Sequence, residues 1–430
     1  MRLSTVKILL LLLLAAFLLR VAAGLWWQGR IGEGFGFADS QSYWSLGRAI
    51  ASGEPYRFGE ANSRVFRSPG YPAFLAPIFL LGGADPPEIW GRILGAVCGT
   101  LSVALVWWLA RRLFNPTAGW IAAAIAAVYP EMIAGSVFIL SEALFCPLML
   151  VNLALWIVAW QTDSPQRAGR WAVAAGMTSG LATLVRPSWL LFLPFALGVG
   201  LVVDRFCGQG ESRRPCAVNT SPTIRPHGRW RHLLLGLAMA LGMTLAMMPW
   251  WIRNAQAVGR FVPTTLEVGA SLYDGLNPRA TGASDMSFVD RFIRQDRREP
   301  AGFDEPLEVR LDRRMRDDAL AWARGNPVRV VQLAGIKLLR IWNIWPNEES
   351  LASWPMRLLT MLTYVPVLLL GILGAAKTIR RGWPYWLCWL PAVYFTLLHV
   401  VFVSSIRYRQ PAMLGLIILA AGLMVARRRD

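Results

Sequence analysis

The sequence predicts an all-α polytopic membrane protein with about ten transmembrane helices and interface helices on its outer face. Of its 430 residues, 55% are hydrophobic and only 16% are charged, and the mean hydropathy is +0.41. Soluble domains are about 25% charged. Several apolar runs approach the roughly 20 residues that a membrane-spanning helix needs.

The formal net charge of +18 follows from where the basic residues lie. They cluster at the ends of apolar runs, which is the pattern of cytoplasmic loops in membrane proteins. The charge therefore indicates a lipid bilayer as partner, and no nucleic acid is expected. The five cysteines form neither a disulfide framework nor a CxxC metal motif.

Ten spans with both termini in the cytoplasm satisfy this charge pattern: 7–23, 92–110, 117–132, 143–160, 171–185, 189–203, 233–251, 356–376, 383–403 and 411–425. The predicted cytoplasmic side carries Arg111, Arg112, Arg167, Arg170, the basic loop 205–232, Arg380, Arg381 and the arginines at 427–429. A cleaved signal peptide is the alternative for the first span, because small residues follow it at Ala22, Ala23 and Gly24.

Two further apolar stretches, 71–81 and 328–345, are bracketed by outer segments. The first is too short to span a bilayer, and the second carries Arg329, Lys337 and Arg340. We interpret both as helices at the outer interface; a spanning or re-entrant role would change the count by two spans.

The chain then divides into three regions. Residues 1–251 form an N-terminal transmembrane core, whose outer loop 25–90 carries the first candidate site residues. Residues 252–355 form an external polar region with an interface helix. Residues 356–430 form the C-terminal transmembrane helices.

Asp39 is the first candidate site residue, since the predicted topology places it outside, close to the membrane surface. It precedes a predicted short helix at 40–50, which Gly53 and Pro55 end. The simplest interpretation is that Asp39 caps this helix. The alternative is that it belongs to a functional site.

Glu142 is the second candidate, at the outer start of the span 143–160, with Glu131 near the end of the preceding span. A carboxylate is favoured at a helix N-terminus, here beside Ser141. Ionisable groups at membrane depth are costly, however, and often functional. Asp39 and Glu142 could face one cavity.

Arginines collect on the same predicted side, where a lone arginine usually extends its charge to the membrane surface. Together, beside two acids, they could hold a phosphate through charge-assisted hydrogen bonds. The set comprises Arg64, Arg67, Arg186, Arg253, Arg407 and Arg409. His399 stands alone in an apolar span and is interpreted as packed.

The order of these segments resembles a known family. After the first span come "ADSQSYWSLGRAIASGEPY", "RSPGYPAFLAPIFLLGG", "ARRLFNPTAGWIAAAIAAVYP", "ILSEALF", "LVRPSWLLFLP", "PWWIRNAQAVGRFVPTT" and "RYRQPAM". The chain resembles the bacterial branch of the C-type membrane glycosyltransferases, which are similar to the protein O-mannosyltransferases and the lipid A aminoarabinose transferases. The resemblance covers nearly the whole chain.

The resemblance implies a glycosyltransferase that uses a sugar on a polyprenyl phosphate and an acceptor glycan, lipid or protein. It implies that Asp39 is catalytic, that Glu142 assists the site or binds a metal, and that Arg67 lies near the lipid phosphate. Arg186, Arg253 and Arg407 are further candidates for binding the donor phosphate. Relatives often carry another acid just before the basic residue; here that position is Phe66. The sequence leaves the metal and any other cofactor unknown.

The expected location is the cell inner membrane, with the site on its external, periplasmic face. A membrane transporter or lipid flippase is the alternative function. Transporters typically have charges at the membrane midplane and repeated halves, whereas the acids here are expected at the outer edge. A non-catalytic scaffold would explain the spans but not the acids.

Overall fold

The structure, a computed structural model, describes residues 3–59, 61–207, 229–298, 305–346 and 353–426. Within these ranges the chain is helical and has no strand beyond an isolated antiparallel bridge between Phe58 and Ser63. In chain order the α-helices are α1 (Leu3–Ile31), α2 (Ala38–Ser52), α3 (Gly70–Gly82), α4 (Ile89–Leu113), α5 (Pro116–Val128), α6 (Pro130–Val137), α7 (Glu142–Gln161), α8 (Pro165–Val185), α9 (Phe192–Cys207), α10 (Arg229–Val258), α11 (Val268–Gly275), α12 (Val289–Arg298), α13 (Leu307–Gly325), α14 (Pro327–Ile341), α15 (Trp354–Thr378), α16 (Trp383–Val401) and α17 (Gln410–Ala426).

The predicted all-α polytopic class is confirmed. Seven described helices are long and apolar enough to cross a membrane, or eight if α5 and α6 together form one span. Each of the ten predicted spans overlaps a helix or this helix pair. The predicted spans 171–185 and 189–203 correspond to α8 and α9, which are not among these candidate spans; residues 187–203 form a shorter apolar helix.

Helix α8 nevertheless packs along two of the candidate spans. The amide of Asn152 in α7 donates to the carbonyl oxygen of Ala175, at 2.7 Å. On the side facing α10, a Cβ added at Gly176 would lie 1.9 Å from the carbonyl oxygen of Met239. Glycine at this position therefore allows the backbones of α8 and α10 to touch.

The predicted span 117–132 is broken into α5 and α6, which meet at an angle of 56°. Pro130 causes the break, because it has no N–H to bond the carbonyl oxygen of Ala126 four residues earlier. Arg20, which is buried in α1, supplies donors instead: it bonds the carbonyl oxygens of Ala126 at 3.1 Å and Ala127 at 3.0 Å.

The predicted first outer segment, between α1 and α4, contains two short helices that pack against each other. Helix α2 matches the predicted helix at 40–50 and ends at Gly53, whose φ of 68° is the left-handed conformation that glycine favours. Tyr43 contacts Tyr71 of α3, with ring centroids 5.1 Å apart. Helix α1 extends to Ile31, beyond the predicted end of the first span at residue 23, so this outer segment begins later than expected.

The region after α10 folds back onto the first outer segment. The Glu308 carboxylate of α13 accepts hydrogen bonds from the backbone N–H groups of Arg64, at 2.8 Å, and Val65, at 3.0 Å. Lys337 of α14 is fully buried and donates to the carbonyl oxygens of Gly275 and Val401. These bonds attach α14 to the ends of α11 and α16.

Neither α3 nor α14 is among the candidate spans of the described residues. Helix α14 exposes large apolar side chains at Val328, Val331 and Leu339 while burying Leu333 and Lys337. One apolar and exposed face is what a helix lying at a membrane interface needs. Their placement at the outer interface stays a prediction.

The two ends of the helical bundle carry different residues. Glu142 begins α7, Arg186 follows α8 and Arg407 precedes α17, and these three residues meet at one end. At the other end, Arg112 donates to Gln161, the last residue of α7, at 2.9 Å. The predicted outer and cytoplasmic residues therefore separate along the bundle.

Several predicted features lie outside the described residues. They are Cys216, most of the basic loop 205–232 and the arginines at 427–429. The division of the chain into regions 1–251, 252–355 and 356–430 also stays a prediction.

Candidate active site

Asp39 does not cap helix α2, so the simplest interpretation of this residue from the sequence is wrong. The helix begins at Ala38, its N-cap is Phe37, and Asp39 lies inside the first turn without a capping bond. The carboxylate instead points to two arginines from distant parts of the chain. Oδ1 accepts from Arg67 Nη2 at 2.7 Å, and Oδ2 accepts from Arg407 Nη2 at 2.9 Å.

These two arginines decide the protonation state of Asp39. Its side chain is 32% exposed, against 15% for Arg67 and 25% for Arg407. Partial burial alone would raise the pKa of the Asp39 carboxyl, but the charges and hydrogen bonds of Arg67 and Arg407 outweigh burial and hold the pKa well below its ordinary value. Asp39 is therefore ionised and acts as a hydrogen-bond acceptor.

Glu142 lies deeper, with its side chain only 1% exposed. Its Oε1 accepts from Arg186 Nη1 at 2.6 Å and also from Arg407 Nε. Ser141, the residue before α7, donates its hydroxyl to Glu142 Oε2 at 3.4 Å. A buried carboxylate is tolerated only when it is paired in this way.

Arg407 joins the two acids, because its Nε binds Glu142 and its Nη2 binds Asp39. The structure thus brings together four of the residues singled out in the sequence: Asp39, Glu142, Arg67 and Arg407. Arg186 is linked through Glu142. The tyrosine ring of Tyr408 lies 5.3 Å from the Arg186 guanidinium and 5.6 Å from that of Arg407.

Glu267, in the loop before α11, completes the cluster and was not predicted from the sequence. It accepts two hydrogen bonds from Arg67 Nη1, both at 2.9 Å. Three carboxylates therefore face three guanidiniums. We define this acid–arginine cluster as Asp39, Glu142, Glu267, Arg67, Arg186 and Arg407.

The other candidate arginines have different partners. Arg253 donates to the backbone carbonyl oxygens of Arg64, at 2.6 Å, and Tyr56, at 3.3 Å, so it holds the outer loop. Arg409 pairs with Glu131 and is fully buried. The Arg64 side chain pairs with Glu308 at 3.3 Å.

His399 is packed, as its position in an apolar span predicted. Its ring stacks on Tyr408, with centroids 4.2 Å apart, and Nδ1 contacts the carbonyl oxygen of Val403 at 2.8 Å. It contacts Tyr408 at the edge of the cluster, and it is not placed in the reaction.

A divalent metal does not fit the residues of the cluster. Among the described residues, no group of three or more His, Cys, Asp or Glu side chains is placed to hold a metal ion. The two acids that the resemblance relates to catalysis or metal binding are occupied by guanidiniums, and Phe66 packs on Arg67 with 4.6 Å between the guanidinium carbon and the ring centroid. No step is therefore assigned to a metal.

A cavity of about 390 Å³ opens onto the cluster. It lies between α1, α6 and the start of α15, and its walls are mostly apolar. Glu142, Arg407 and Gln410 line its polar end, whereas Leu19, Phe138 and Leu359 represent its apolar walls. The cavity thus leads from charged groups to an apolar space beside a candidate span.

Comparison with known proteins finds a family match over part of the chain. Residues 67–209, about a third of the chain, match the family described as dolichyl-phosphate-mannose-protein mannosyltransferase. The match includes Arg67, Glu142 and Arg186. The predicted resemblance to the C-type membrane glycosyltransferases is confirmed.

Solved structures give the same fold. The archaeal oligosaccharyltransferase AglB from Archaeoglobus fulgidus, in complex with an inhibitory peptide and a dolichol-phosphate, aligns with 98% of this chain at a TM-score of 0.59 and 15% identity. This chain covers 50% of AglB, so it spans about half the length of that protein. At this identity the likeness establishes the fold and not the substrate.

A second match has a lower score. ArnT from Cupriavidus metallidurans bound to undecaprenyl phosphate aligns with 100% of this chain and is itself covered to 79%, at 16% identity and a TM-score of 0.45. No protein of curated function matches the chain in sequence.

Proposed function

We propose that this protein transfers a sugar from a polyprenyl-phosphate donor to a hydroxyl of an acceptor glycan, lipid or protein, on the outer face of the cytoplasmic membrane. The observation that carries the proposal is the acid–arginine cluster, in which Asp39 of the first outer segment meets Arg67 and Arg407 at one end of the helical bundle. A base and cations at the edge of a bilayer are what a lipid-linked sugar requires.

The arginines supply the site for the departing phosphate. Arg67 and Arg407 each present several N–H donors in a planar fork that matches phosphate oxygens. Negative charge grows on the phosphate oxygen as its bond to the sugar breaks, so cations held there stabilise the transition state more than the ground state. Glu142 binds Arg407 and Glu267 binds Arg67, so these two acids position the guanidiniums.

The cavity supports the lipid part of the donor. A polyprenyl chain needs an apolar path that begins at its phosphate, and the cavity leads from Arg407 along apolar walls to α1. We propose that the phosphate lies at Arg407 and Arg67, with the sugar directed toward Asp39.

In the proposed reaction, the acceptor hydroxyl oxygen forms a bond to the anomeric carbon while the bond from that carbon to the phosphate oxygen breaks. The electron pair leaves with the phosphate, and the hydroxyl proton passes to Asp39. Such general-base catalysis contributes roughly 100- to 10,000-fold to a rate.

The low pKa of Asp39 has a consequence for this mechanism. While Arg67 and Arg407 both bind the carboxylate, it is a weak base. A bound phosphate competes for the same two guanidiniums, and the loss of their hydrogen bonds raises the pKa of Asp39 toward its ordinary value of about 3.9. Donor binding therefore makes Asp39 a better base.

Binding of undecaprenyl phosphate to the purified protein in nanodiscs tests the phosphate site. Native mass spectrometry should detect one bound lipid, and Arg67→Ala should weaken binding about 10- to 100-fold, since a hydrogen bond to a charged group contributes about 1.5–3 kcal/mol. Arg67→Lys should recover part of the affinity, because lysine keeps the charge but not the fork.

Arg57→Ala is the matched control, because Arg57 is an exposed arginine of the same outer segment. Its affinity for undecaprenyl phosphate should equal that of the wild type. Equal affinity of wild type and Arg67→Ala for undecaprenyl phosphate would show that Arg67 does not bind the phosphate.

The sugar and acceptor require a cell-based measurement. Mass spectrometry of glycans, lipids and proteins from a deletion strain should find one sugar modification missing, with the polyprenyl-linked donor accumulating. If the protein were a flippase, its deletion would leave the donor on the inner face, where an impermeant reagent added to intact cells cannot reach it.

A further inference from the structure

Arg407 occupies the space between the two acids that the family resemblance connects with catalysis. Its Nε binds Glu142 Oε1 and its Nη2 binds Asp39 Oδ2 at 2.9 Å, so one planar cation contacts both carboxylates. A divalent metal shared by two acids would make the same pair of contacts. Arg407 lies just before α17, far from both acids in sequence.

The remaining carboxylate oxygens are also largely taken by arginine. Asp39 Oδ1 binds Arg67 at 2.7 Å, and Glu142 Oε1 binds Arg186 at 2.6 Å as well as Arg407. Among the residues that the structure describes, Glu142 Oε2 accepts only from the hydroxyl of Ser141, at 3.4 Å. Calcium and magnesium are bound through carboxylate oxygens, with waters completing the shell, and here the guanidiniums occupy both oxygens of Asp39 and one of Glu142.

The charges around the acids also oppose a metal. Arg67, Arg186 and Arg407 balance the charges of Asp39, Glu142 and Glu267. A divalent cation would add two positive charges beside three guanidiniums that the three acids of the cluster already balance. Phe66 stands where relatives often carry that acid, and its ring faces Phe58 and the Arg67 guanidinium instead.

We propose that Arg407 takes the place of a divalent metal between Asp39 and Glu142, so that a guanidinium, and not a metal ion, joins the two acids of this site. This inference rests on the proposed function of the site. Arginine stays charged at all physiological pH values and cannot be removed by a chelator. Because two different nitrogens of Arg407 bind the two acids, the guanidinium also fixes the distance between them. A lysine has a single nitrogen and cannot fix this distance through two separate nitrogens.

Manganese binding tests the replacement without donor or acceptor. Wild-type protein, treated with EDTA and titrated with Mn²⁺ under electron paramagnetic resonance, should bind no Mn²⁺ at the cluster up to about 1 mM, the weak limit of protein sites for hard divalent cations. Arg407→Ala frees Asp39 Oδ2 and one approach to Glu142 Oε1, so Mn²⁺ binding should appear in that variant. Asp39→Asn in the Arg407→Ala background should abolish it.

Two results would overturn the replacement. One is Mn²⁺ bound to wild-type protein and lost in Asp39→Asn. The other is absence of Mn²⁺ binding in folded Arg407→Ala, because it would mean that the two acids cannot hold a metal even when the arginine is gone. Arg407→Gln provides a second neutral variant with a longer side chain than alanine. If neither variant folds, Mn²⁺ binding to the wild-type protein is the measurement that tests the inference.

An activity measurement separates this inference from the proposed function. Transfer by the wild type should be unchanged after EDTA treatment, and restoration of lost activity by Mn²⁺ would contradict the inference while supporting the proposed function. Failure of wild-type protein to bind undecaprenyl phosphate would contradict the proposed function, whatever the manganese result.

Discussion

Neutralising Glu142 should destabilise the protein strongly, because this acid is buried against two guanidiniums. Glu142→Gln keeps the side-chain volume and removes one of the three negative charges that face Arg67, Arg186 and Arg407. Removing one partner of a buried ion pair typically costs about 3–5 kcal/mol, since the other charge stays buried without compensation. Glu142 is 1% exposed and Arg186 11%, so this range applies here.

The expected change in the unfolding midpoint follows from chain length. Unfolding entropy is about 2.1 cal/mol/K per residue, which for 430 residues is roughly 0.9 kcal/mol/K. A loss of about 3–5 kcal/mol then lowers the midpoint by roughly 3–6 °C. Thermal scans of purified protein in one detergent and at one heating rate measure this difference, because irreversible unfolding makes the midpoint depend on the rate.

Asp317→Asn is the control for the general effect of losing an acid. Asp317 is 62% exposed and lies 3.6 Å from Arg316, and exposed pairs contribute about 1 kcal/mol or less. A second comparison adds Arg186→Gln to Glu142→Gln, which removes the surplus positive charge and should recover part of the loss. Equal midpoints for Glu142→Gln and Asp317→Asn would refute the buried pairing of Glu142.

Three other properties can be tested on purified protein or intact cells. Gly176→Ala should lower the unfolding midpoint, because its Cβ would lie 1.9 Å from a backbone oxygen of α10. Gly169→Ala on the same helix is the control, because its Cβ would meet open space. Equal midpoints for the two variants would contradict the close packing of α8 and α10. Burial lowers the pKa of Lys337 to about 8 from 10.5, so folded Lys337 loses its proton at lower pH than the unfolded chain does. Wild type should therefore gain stability relative to Lys337→Met as pH rises from 8 to 10.5, and parallel pH profiles would show that this shift is absent. In a cysteine-free background, cysteine at exposed position Glu54 should react with an impermeant reagent in intact cells and cysteine at Arg167 should not; the reverse would invert the topology.

The fold class was predictable because membrane spans leave a strong signal in composition. Long apolar runs and basic clusters located most of the long helices, and Gly53 and Pro55 located the end of the short helix α2. The break between α5 and α6 was missed, although Pro130 marks it, because an apolar count ignores the missing backbone donor. Arg20 was also missed, although a lone arginine in an apolar run is a signal of a buried polar contact.

Most residues of the candidate site were predictable from the sequence, but their pairing was not. Asp39, Glu142, Arg67 and Arg407 stand out as ionisable residues at the ends of apolar runs, and the structure joins them. The capping interpretation of Asp39 failed because short-range sequence cannot reveal a partner such as Arg407, 368 residues away. Glu267 lies in a loop with no periodic pattern, and Arg253 binds backbone oxygens. The partners of both residues are set by the tertiary fold and could not be predicted from the local sequence.

The most direct test of the account is the turnover of Asp39→Asn with a polyprenyl-phosphate sugar and the acceptor identified from the deletion strain. We expect Asp39→Asn to insert normally and to lose transfer by at least about 100-fold, the lower end for a positioned base. Asp290→Asn, at an exposed acid of α12, should keep wild-type turnover. Near wild-type turnover of Asp39→Asn would contradict the assignment of Asp39 as the base and, with it, the proposed mechanism.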